Sequence, residues 1–311
     1  MMQKKLISIV TPCFNEEGNL DELYARIKKV MRELDYPYEH IFIDNASTDG
    51  TPKKLHALAL QDKNVKVIFN TRNFGHVRSP VHALFQASGD AVVAMASDLQ
   101  DPPERIPDFV QKWEEGYPVV IGIKEKSKDS PLFHLLRTMY YRFLRSLSDV
   151  QLIENFTGFG LYDRKVLDII RKIDDPYPYF RGLIADLGFD IAKIVFVQQR
   201  RSRGISKNNF YTLYDLAMLG LTNYTKIPLR LAAMLGFLAS FISFAIGTIY
   251  LIYKLIFWYQ FSLGSAPLVI GLFFLGSVQL MFLGVVGEYI GAIHTQIMHR
   301  PLVIEKERLN F

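Results

Sequence analysis

Leu6-Ile-Ser-Ile-Val10, running on into Thr11-Pro-Cys-Phe-Asn-Glu16, is a short apolar run that stops at a proline and gives way to polar side chains. A run of that length bounded by a turn signal reads as a buried strand. Working outward, Asp21 to Leu34 places Leu23, Ile27, Val30, Met31 and Leu34 at helical spacing. His40-Ile-Phe-Ile-Asp44 repeats the strand pattern, Lys53–Leu60 the helical one, and Val65-Lys-Val-Ile-Phe69 is a third strand. Ser79–Ser88 then reads as a helix and Ala91-Val-Val-Ala-Met95 as a fourth strand. Strands alternating with helices in this way predict a doubly wound α/β sheet. Ligands of such sheets bind at the carboxyl ends of the strands. Here those ends carry Asn15-Glu16, Asp44-Asn45, Arg72-Asn73 and Asp98.

The chain of 311 residues is 50% hydrophobic and 22% charged, with a mean hydropathy of +0.11. That is too apolar for a disordered protein and calls for a concentrated apolar segment. Two charge-free runs supply it, Leu231 to Tyr253 and Ser262 to Gly287. Each is long enough to span a bilayer, so spans are expected at about 231–253 and 265–287. Trp258 and Tyr259 in the linker Lys254–Phe261 read as an interfacial belt. Lys226, Arg230, Arg300, Lys306 and Arg308 flank one side and only Lys254 lies in the connection, so both termini and residues 1–228 are expected in the cytoplasm, at the inner membrane. Leu6–Val10 is too short for a signal peptide. The expected organisation is a working domain over 1–208, an interfacial segment over 209–228, two spans within 229–291 and a tail over 292–311.

Pro131–Leu147 and Asn209–Lys226 mix large apolar side chains with basic ones, as interfacial helices do, although packing on the core would give the same periodicity. The net charge of +5, from 36 Lys+Arg against 31 Asp+Glu, suits an anionic lipid surface better than a nucleic acid. A single cysteine, Cys13, excludes a disulfide framework and a multi-cysteine zinc site, and reads as a packing residue. Leu302-Val-Ile-Glu-Lys306 is strand-like and could pair between subunits of a homo-oligomer or remain an unpaired tail.

The constellation richest in chemistry is Ser97-Asp-Leu-Gln-Asp-Pro-Pro-Glu104, directly after the fourth strand. Asp98 and the Gln100 amide oxygen are two residues apart, so a turn lets both reach one hard divalent cation. The plainer reading is a polar turn in which Asp101 caps a Pro103–Trp113 helix, and both can hold at once. Taken alone, Gln199-Arg-Arg-Ser-Arg203 is a solvated basic run, and Arg72–His76 an ordinary turn.

With these segments in view, the chain resembles the family 2 glycosyltransferases of GT-A fold, and within them the polyprenyl-phosphate group that holds dolichyl-phosphate mannose synthase and the bactoprenol glucosyltransferases. The resemblance covers essentially the whole chain. It rests on Val10-Thr-Pro-Cys-Phe-Asn-Glu16, Ile43-Asp-Asn-Ala-Ser-Thr-Asp49, Thr71-Arg-Asn-Phe-Gly-His76, Asp98-Leu-Gln-Asp-Pro-Pro103, Arg201-Ser-Arg-Gly-Ile-Ser-Lys207 and Gly287-Glu-Tyr-Ile-Gly291, in that order and followed by two apolar runs.

It implies a GT-A-type mixed sheet and transfer of a sugar from a UDP- or GDP-sugar to polyprenyl phosphate, with inversion, assisted by Mg²⁺ or Mn²⁺. Pro12, Asn15, Glu16, Asp44, Arg72 and Asp98 are then the nucleotide-binding residues, Asp98 and Gln100 the metal ligands, and Asp98 and Asp101 the acids of the catalytic centre. Lys124 and Arg137 would face the acceptor phosphate, and Arg201, Arg203 and Lys207 belong to a basic loop over the phosphates. The sequence departs from the family at Ala96, where the first acid of Asp-x-Asp usually stands, at Asn45-Ala46 in place of Asp-Gly, and at Gly158 and Gly160, in place of an Asp and an Arg. Glu154 and Asp163 are the nearest acids to the missing one. These departures keep open a different lipid acceptor, or a non-catalytic scaffold retaining the fold. The Gln-x-x-Arg-Trp motif of processive synthases is absent around Trp113 and Trp258.

Overall fold

The computed structural model describes residues 5–125, 153, 155–198, 218, 227–257 and 265–311. The interfacial helices expected at 131–147 and 209–226 and the aromatic pair Trp258 and Tyr259 lie outside them, Met218 apart.

Four parallel strands form the middle of the sheet: β1 (Ile7–Cys13), β2 (Tyr38–Asp44), β3 (Val65–Asn70) and β4 (Ala91–Ala94). β5 (Val119–Lys124), β6 (Phe156–Asp163), β7 (Ile191–Phe196) and β8 (Glu305–Leu309) complete an eight-stranded sheet in the order β7-β5-β6-β4-β1-β2-β3-β8. β6 runs antiparallel to both β4 and β5, and β8 antiparallel to β3, so the sheet is mixed, as the resemblance implies. Strand alternation feeds two apolar layers. Ile7, Ile9, Phe42, Val65 and Val67 pack on one face, and Val10, Ile41, Ile43 and Ile68 on the other. Burial on both faces is why these strands read as unbroken apolar runs.

Helix α1 (Leu20–Leu34) buries Leu20, Leu23, Ile27, Val30 and Met31 on the first face, together with α2 (Thr51–Gln61) and α4 (Ile106–Glu114). Helix α3 (Gly75–Gln86), α5 (Arg164–Ile173) and α6 (Phe180–Asp186) cover the second. α3 starts four residues before the predicted Ser79 and carries Pro80 inside it. The predicted Pro103–Trp113 helix divides into a 3₁₀ turn at Pro103–Arg105 and α4.

Two long helices follow, α7 (Ile227–Ile256) and α8 (Ser265–Ile297). Among the described residues one stretch, Phe274–Ile297 in α8, is long and apolar enough to cross a membrane by length and composition. The segment after α8 is no loose tail. Thr71 N–H donates to the Ile304 carbonyl at 3.0 Å, β8 pairs with β3, and Asn310 Nδ2 donates to the Ala59 and Val65 carbonyls. β8 thus satisfies the open edge of β3 within one chain, where sequence alone left open pairing between subunits.

His40 shows how tightly the middle of the sheet is sealed. Its ring is fully buried against Phe42, centroids 3.8 Å apart, with Nε2 3.0 Å from Thr11 Oγ1 and Nδ1 unpartnered. Burial pushes its pKa down to about 3. The unfolded chain takes up this proton near 6.5, so stability is fully present above that pH and is lost as pH falls towards 3. Thermal unfolding from pH 7 to pH 4 should therefore show a steeper loss in the native protein than in His40→Asn, which keeps a polar partner for Thr11; parallel slopes would contradict this.

Candidate active site

The carboxyl ends of β4, β1, β2 and β3 lie side by side on one edge of the sheet, in that order. This brings Asp98, Asn15 with Glu16, Asp44 and Arg72 into one row. β5 points the same way, which puts Lys124 on the same edge beyond β6. Arg137, Arg201, Arg203 and Lys207 lie outside the described residues, as does Glu154.

Pro12 lies in β1 opposite Ile43, past the last β1–β4 pair at Val10, so no partner on that side needs its missing N–H. Asn15 then turns the chain in the left-handed region, φ 56°. Its backbone N–H donates to Ser47 Oγ at 2.8 Å, and its Oδ1 accepts from Thr48 N–H at 2.8 Å. Glu16 N–H donates to Thr51 Oγ1 at 2.9 Å, and its carboxylate accepts from Asn19 Nδ2 at 2.6 Å. The loops after β1 and β2 are thereby clamped together by Asn, Ser and Thr side chains, the residues suited to local backbone bonding. Cys13 lies in the core beneath them, where burial pushes its thiol pKa up, in keeping with a packing role.

Asp44 is 2% exposed. Oδ2 accepts from Ser47 N–H at 3.1 Å, but Oδ1 is buried without a partner. Burial raises its pKa, against the lowering effect of the Ser47 bonds. An unsatisfied buried carboxylate oxygen is costly, and a donor from a ligand would relieve it.

The departures at 45 and 46 acquire roles. Asn45 uses its whole amide: Oδ1 accepts from Phe74 N–H at 2.9 Å and Asn70 Nδ2 at 3.1 Å, while Nδ2 donates to Asn73 Oδ1 at 2.9 Å and the Gly75 carbonyl at 3.1 Å. It locks the loop that carries Arg72. An aspartate there could not donate to the last two acceptors. In the sequence Asn45 stands out as a strand-end residue and as a departure from Asp-Gly; the signal for its bonding role is an Asn after one strand end with Asn70 and Asn73 at the next. Ala46 sits at φ 60°, a conformation that favours the glycine usual at that position.

In the loop after β4, Leu99 is buried and left-handed, φ 61°, so Asp98 and Gln100 flank a side chain anchored in the core. Gln100 N–H donates to Asp98 Oδ1 at 3.1 Å. Asp101 differs from its expected cap: the 3₁₀ turn and α4 lack side-chain caps, and its buried carboxyl accepts from Ala96 N–H at 2.9 Å. Burial pushes its pKa up to about 7, aided by the nearby charge of Asp98 and opposed by the Ala96 bond. Asp101 thus holds the Asp98 loop from inside through the Ala96 amide.

Among the described residues, the missing Asp and Arg have no replacement beside Gly158 and Gly160. Gly158 sits at φ 104°, and Gly160 lies in β6 opposite Ile121 and Ala94. A Cβ at Gly160 would stand 2.4 Å from the Val120 carbonyl oxygen. Asp163 caps α5 through Lys165 N–H and accepts from Trp113 Nε1 at 2.8 Å, so it is engaged in structure. Gly160→Ala should lower stability by about 2–3 kcal/mol through overpacking; an unchanged denaturation midpoint would show that β5 and β6 separate more readily than this register implies.

The Glycosyl transferase family 2 model matches residues 8–170. The chain belongs to glycosyl transferase family 2. This glycosyltransferase also matches a second model, the GtrB C-terminal hairpin, over residues 227–293. It is 37% identical over 298 residues to an uncharacterized glycosyltransferase, YkcC, of Bacillus subtilis, covering 96% of this chain and 92% of the relative. It is 34% identical over 301 residues to a bactoprenol glucosyl transferase of Shigella phage SfV, covering 96% of this chain and 98% of the relative. A crystal structure of a mycobacterial protein superposes with a TM-score of 0.51 at 21% identity, covering 70% of this chain and 73% of that one, a likeness of fold.

Among the described residues, no group of three or more His, Cys, Asp or Glu gathers as a metal site. Asp98 nevertheless supplies one carboxylate to this edge, a donor of the kind hard divalent cations take. Mg²⁺ is commonly held by one or two carboxylates, with substrate phosphates and water supplying the rest.

Proposed function

We propose that this glycosyltransferase moves a sugar from a UDP- or GDP-sugar to polyprenyl phosphate, by a single inverting displacement on the cytoplasmic face of the membrane. The observation that carries this reading is the 34% identity with a bactoprenol glucosyl transferase along nearly the whole of both chains. Resemblance confined to the sheet would have left the acceptor open.

The residues of the sheet edge divide the work. The orphaned Oδ1 of Asp44 would accept from a hydroxyl or base N–H of the nucleotide, with Asn15 and the clamped loops shaping that end. Asp98 and Gln100 would hold the cation, together with the donor diphosphate. Bound there, Mg²⁺ or Mn²⁺ neutralises charge developing on the leaving phosphates. Lys124 on the same edge, with Arg137, Arg201, Arg203 and Lys207, would draw in the acceptor and steady the phosphates. The acceptor needs no strong general base: a phosphomonoester with a second pKa near 6 is largely dianionic at neutral pH. The glycines at 158 and 160 are compatible with that chemistry.

The pairing of β3, ahead of the helices, with β8, behind them, supports a chain that returns to its starting side. With the apolar stretch Phe274–Ile297 in α8 as one crossing, α7 would supply the other, and the two would act as a hairpin. The basic residues at its open end, Arg230 and Arg300 among them, favour the cytoplasmic side.

The test is incubation of the full chain in lipid vesicles with radiolabelled UDP- and GDP-sugars and a short polyprenyl phosphate. A labelled, chloroform-soluble product dependent on a divalent cation is expected. No turnover and no nucleotide binding under any condition would leave the scaffold reading instead.

A further inference from the structure

Three arginines gather at the start of α3, where the chain re-enters the sheet after α8. The Arg72 guanidinium carbon lies 4.1 Å from the centre of the Phe74 ring, and that of Arg78 lies 5.6 Å from the same ring. Arg300 follows the end of α8 by three residues. Arg78 Nη2 donates to the Pro301 carbonyl, which ties α3 to this returning segment, while its Nε is buried without a partner. Burial, then Arg72, and also Arg300 lower the pKa of Arg78, with only Tyr177 acting the other way. Asp174 and Asp175 line the same cavity as Arg300 and Pro301, but among the described residues neither forms an ion pair with the trio, and Arg300 is exposed. Gathered like charges are unfavourable unless an anion joins them.

The backbone adds to the same spot. α3 begins at Gly75 without a side-chain cap. Gly75 N–H is taken by Asn73 Oδ1 at 2.8 Å, but the next amides of the first turn have no partner inside the helix. Uncapped amides and several guanidinium forks together suit a phosphate group.

We propose that Arg78 and Arg300, with Arg72 at the border of the nucleotide row, form a phosphate-binding site at the start of α3, separate from the metal site at Asp98. Arg72 follows β3 and Asp98 follows β4, three strand spacings apart in the sheet, or about 14 Å. That spacing separates the start of α3 from a diphosphate held at Asp98, while Asp44, at the end of the strand next to β3, leaves Arg72 within the nucleotide row. The phosphate can come from a lipid headgroup or from solution. The position of Arg300, three residues past the apolar stretch Phe274–Ile297, favours the headgroup. That source rests on the hairpin reading above; the arginine geometry does not.

The test uses the full chain and Arg300→Gln, with Arg78→Gln as a second variant and Arg300→Lys as the conservative one. In nanodiscs of phosphatidylcholine with phosphatidylglycerol, retention of phosphatidylglycerol by native mass spectrometry should fall about fivefold in Arg300→Gln and recover in part in Arg300→Lys. In detergent, titration with inorganic phosphate reads the soluble source: a rise in unfolding temperature that Arg300→Gln abolishes supports the site without a lipid. UDP binding should be unchanged throughout. The proposal is overturned if the native chain selects neither ligand, if Arg300→Gln and Arg78→Gln match it in both assays, or if UDP binding falls in parallel, which would make the arginines part of the donor site. If the hairpin reading alone fails, the chain does not enter nanodiscs, and the phosphate titration still decides.

Discussion

Asp98→Asn should lower sugar transfer by about two to three orders of magnitude while leaving the fold intact. The substitution is nearly isosteric, and the asparagine Oδ1 still accepts from Gln100 N–H, the 3.1 Å bond that shapes the loop. What disappears is the negative charge. With Ala96 in the position of a second acid and Asp101 turned inward to Ala96 N–H, no neighbouring carboxylate in this loop can take its place. Loss of one preorganised electrostatic contact at a reacting centre typically costs about 10²–10³ in rate. Initial rates across a Mg²⁺ or Mn²⁺ titration check this. Turnover indifferent to the substitution, with unaltered cation dependence, would remove Asp98 from the metal site. Asp101→Asn makes a useful contrast, since it keeps an acceptor for Ala96 N–H and should have a smaller effect.

The largest loss of stability is expected at the other end of the sheet. Glu39 is 4% exposed and accepts from Ser8 Oγ at 2.5 Å, Ser88 N–H at 2.6 Å, Ser88 Oγ at 2.8 Å and Lys66 Nζ at 2.6 Å. Ser8 Oγ in turn accepts from Gly89 N–H. One carboxylate thus joins β1, β2, β3 and the turn before β4. Burial works to raise its pKa, but Lys66, Ser8 and Ser88 outweigh it and hold the carboxyl below its usual range. Glu39→Ala strands these partners, at a cost of about 3 kcal/mol, the low end for a broken buried pair because Lys66 retains some solvent. At roughly 2–4 °C per kcal/mol, the unfolding temperature should drop by about 6–12 °C. Nucleotide binding at the opposite edge should be unchanged in the folded fraction. A drop of less than about 2 °C would mean that water replaces the carboxylate.

The parts of this molecule that sequence makes legible are those whose physics is local. β1 to β4 are buried on both faces, so each is a continuous apolar run ending in the polar residues that form the site. β6 is hidden by Gly158 and Gly160, which carry no side chain to pattern. β8, Glu305-Lys-Glu-Arg-Leu309, is an edge strand with four charged residues, and only its partner β3 makes it a strand. The site shows the same division. Asp44 and Asp98 are visible because they follow strands, whereas the inward turn of Asp101 depends on the Ala96 amide folded beside it. Ala46 and Leu99 adopt left-handed conformations that their side chains do not advertise, whereas Asn15 is of a type that favours them. The four-way bonding of Asn45 requires two strand ends to be side by side before the amide has anything to join.

Under the proposed function, the sheet edge delivers its sugar to a lipid phosphate at the membrane. The most direct measurement presents polyprenyl phosphate and diacylglycerol together in one vesicle to the full chain, with a single labelled nucleotide sugar, and identifies the labelled lipid. Label on polyprenyl phosphate, as an acid-labile phosphodiester lost on Asp98→Asn, is the predicted result. Label on diacylglycerol alone would contradict it.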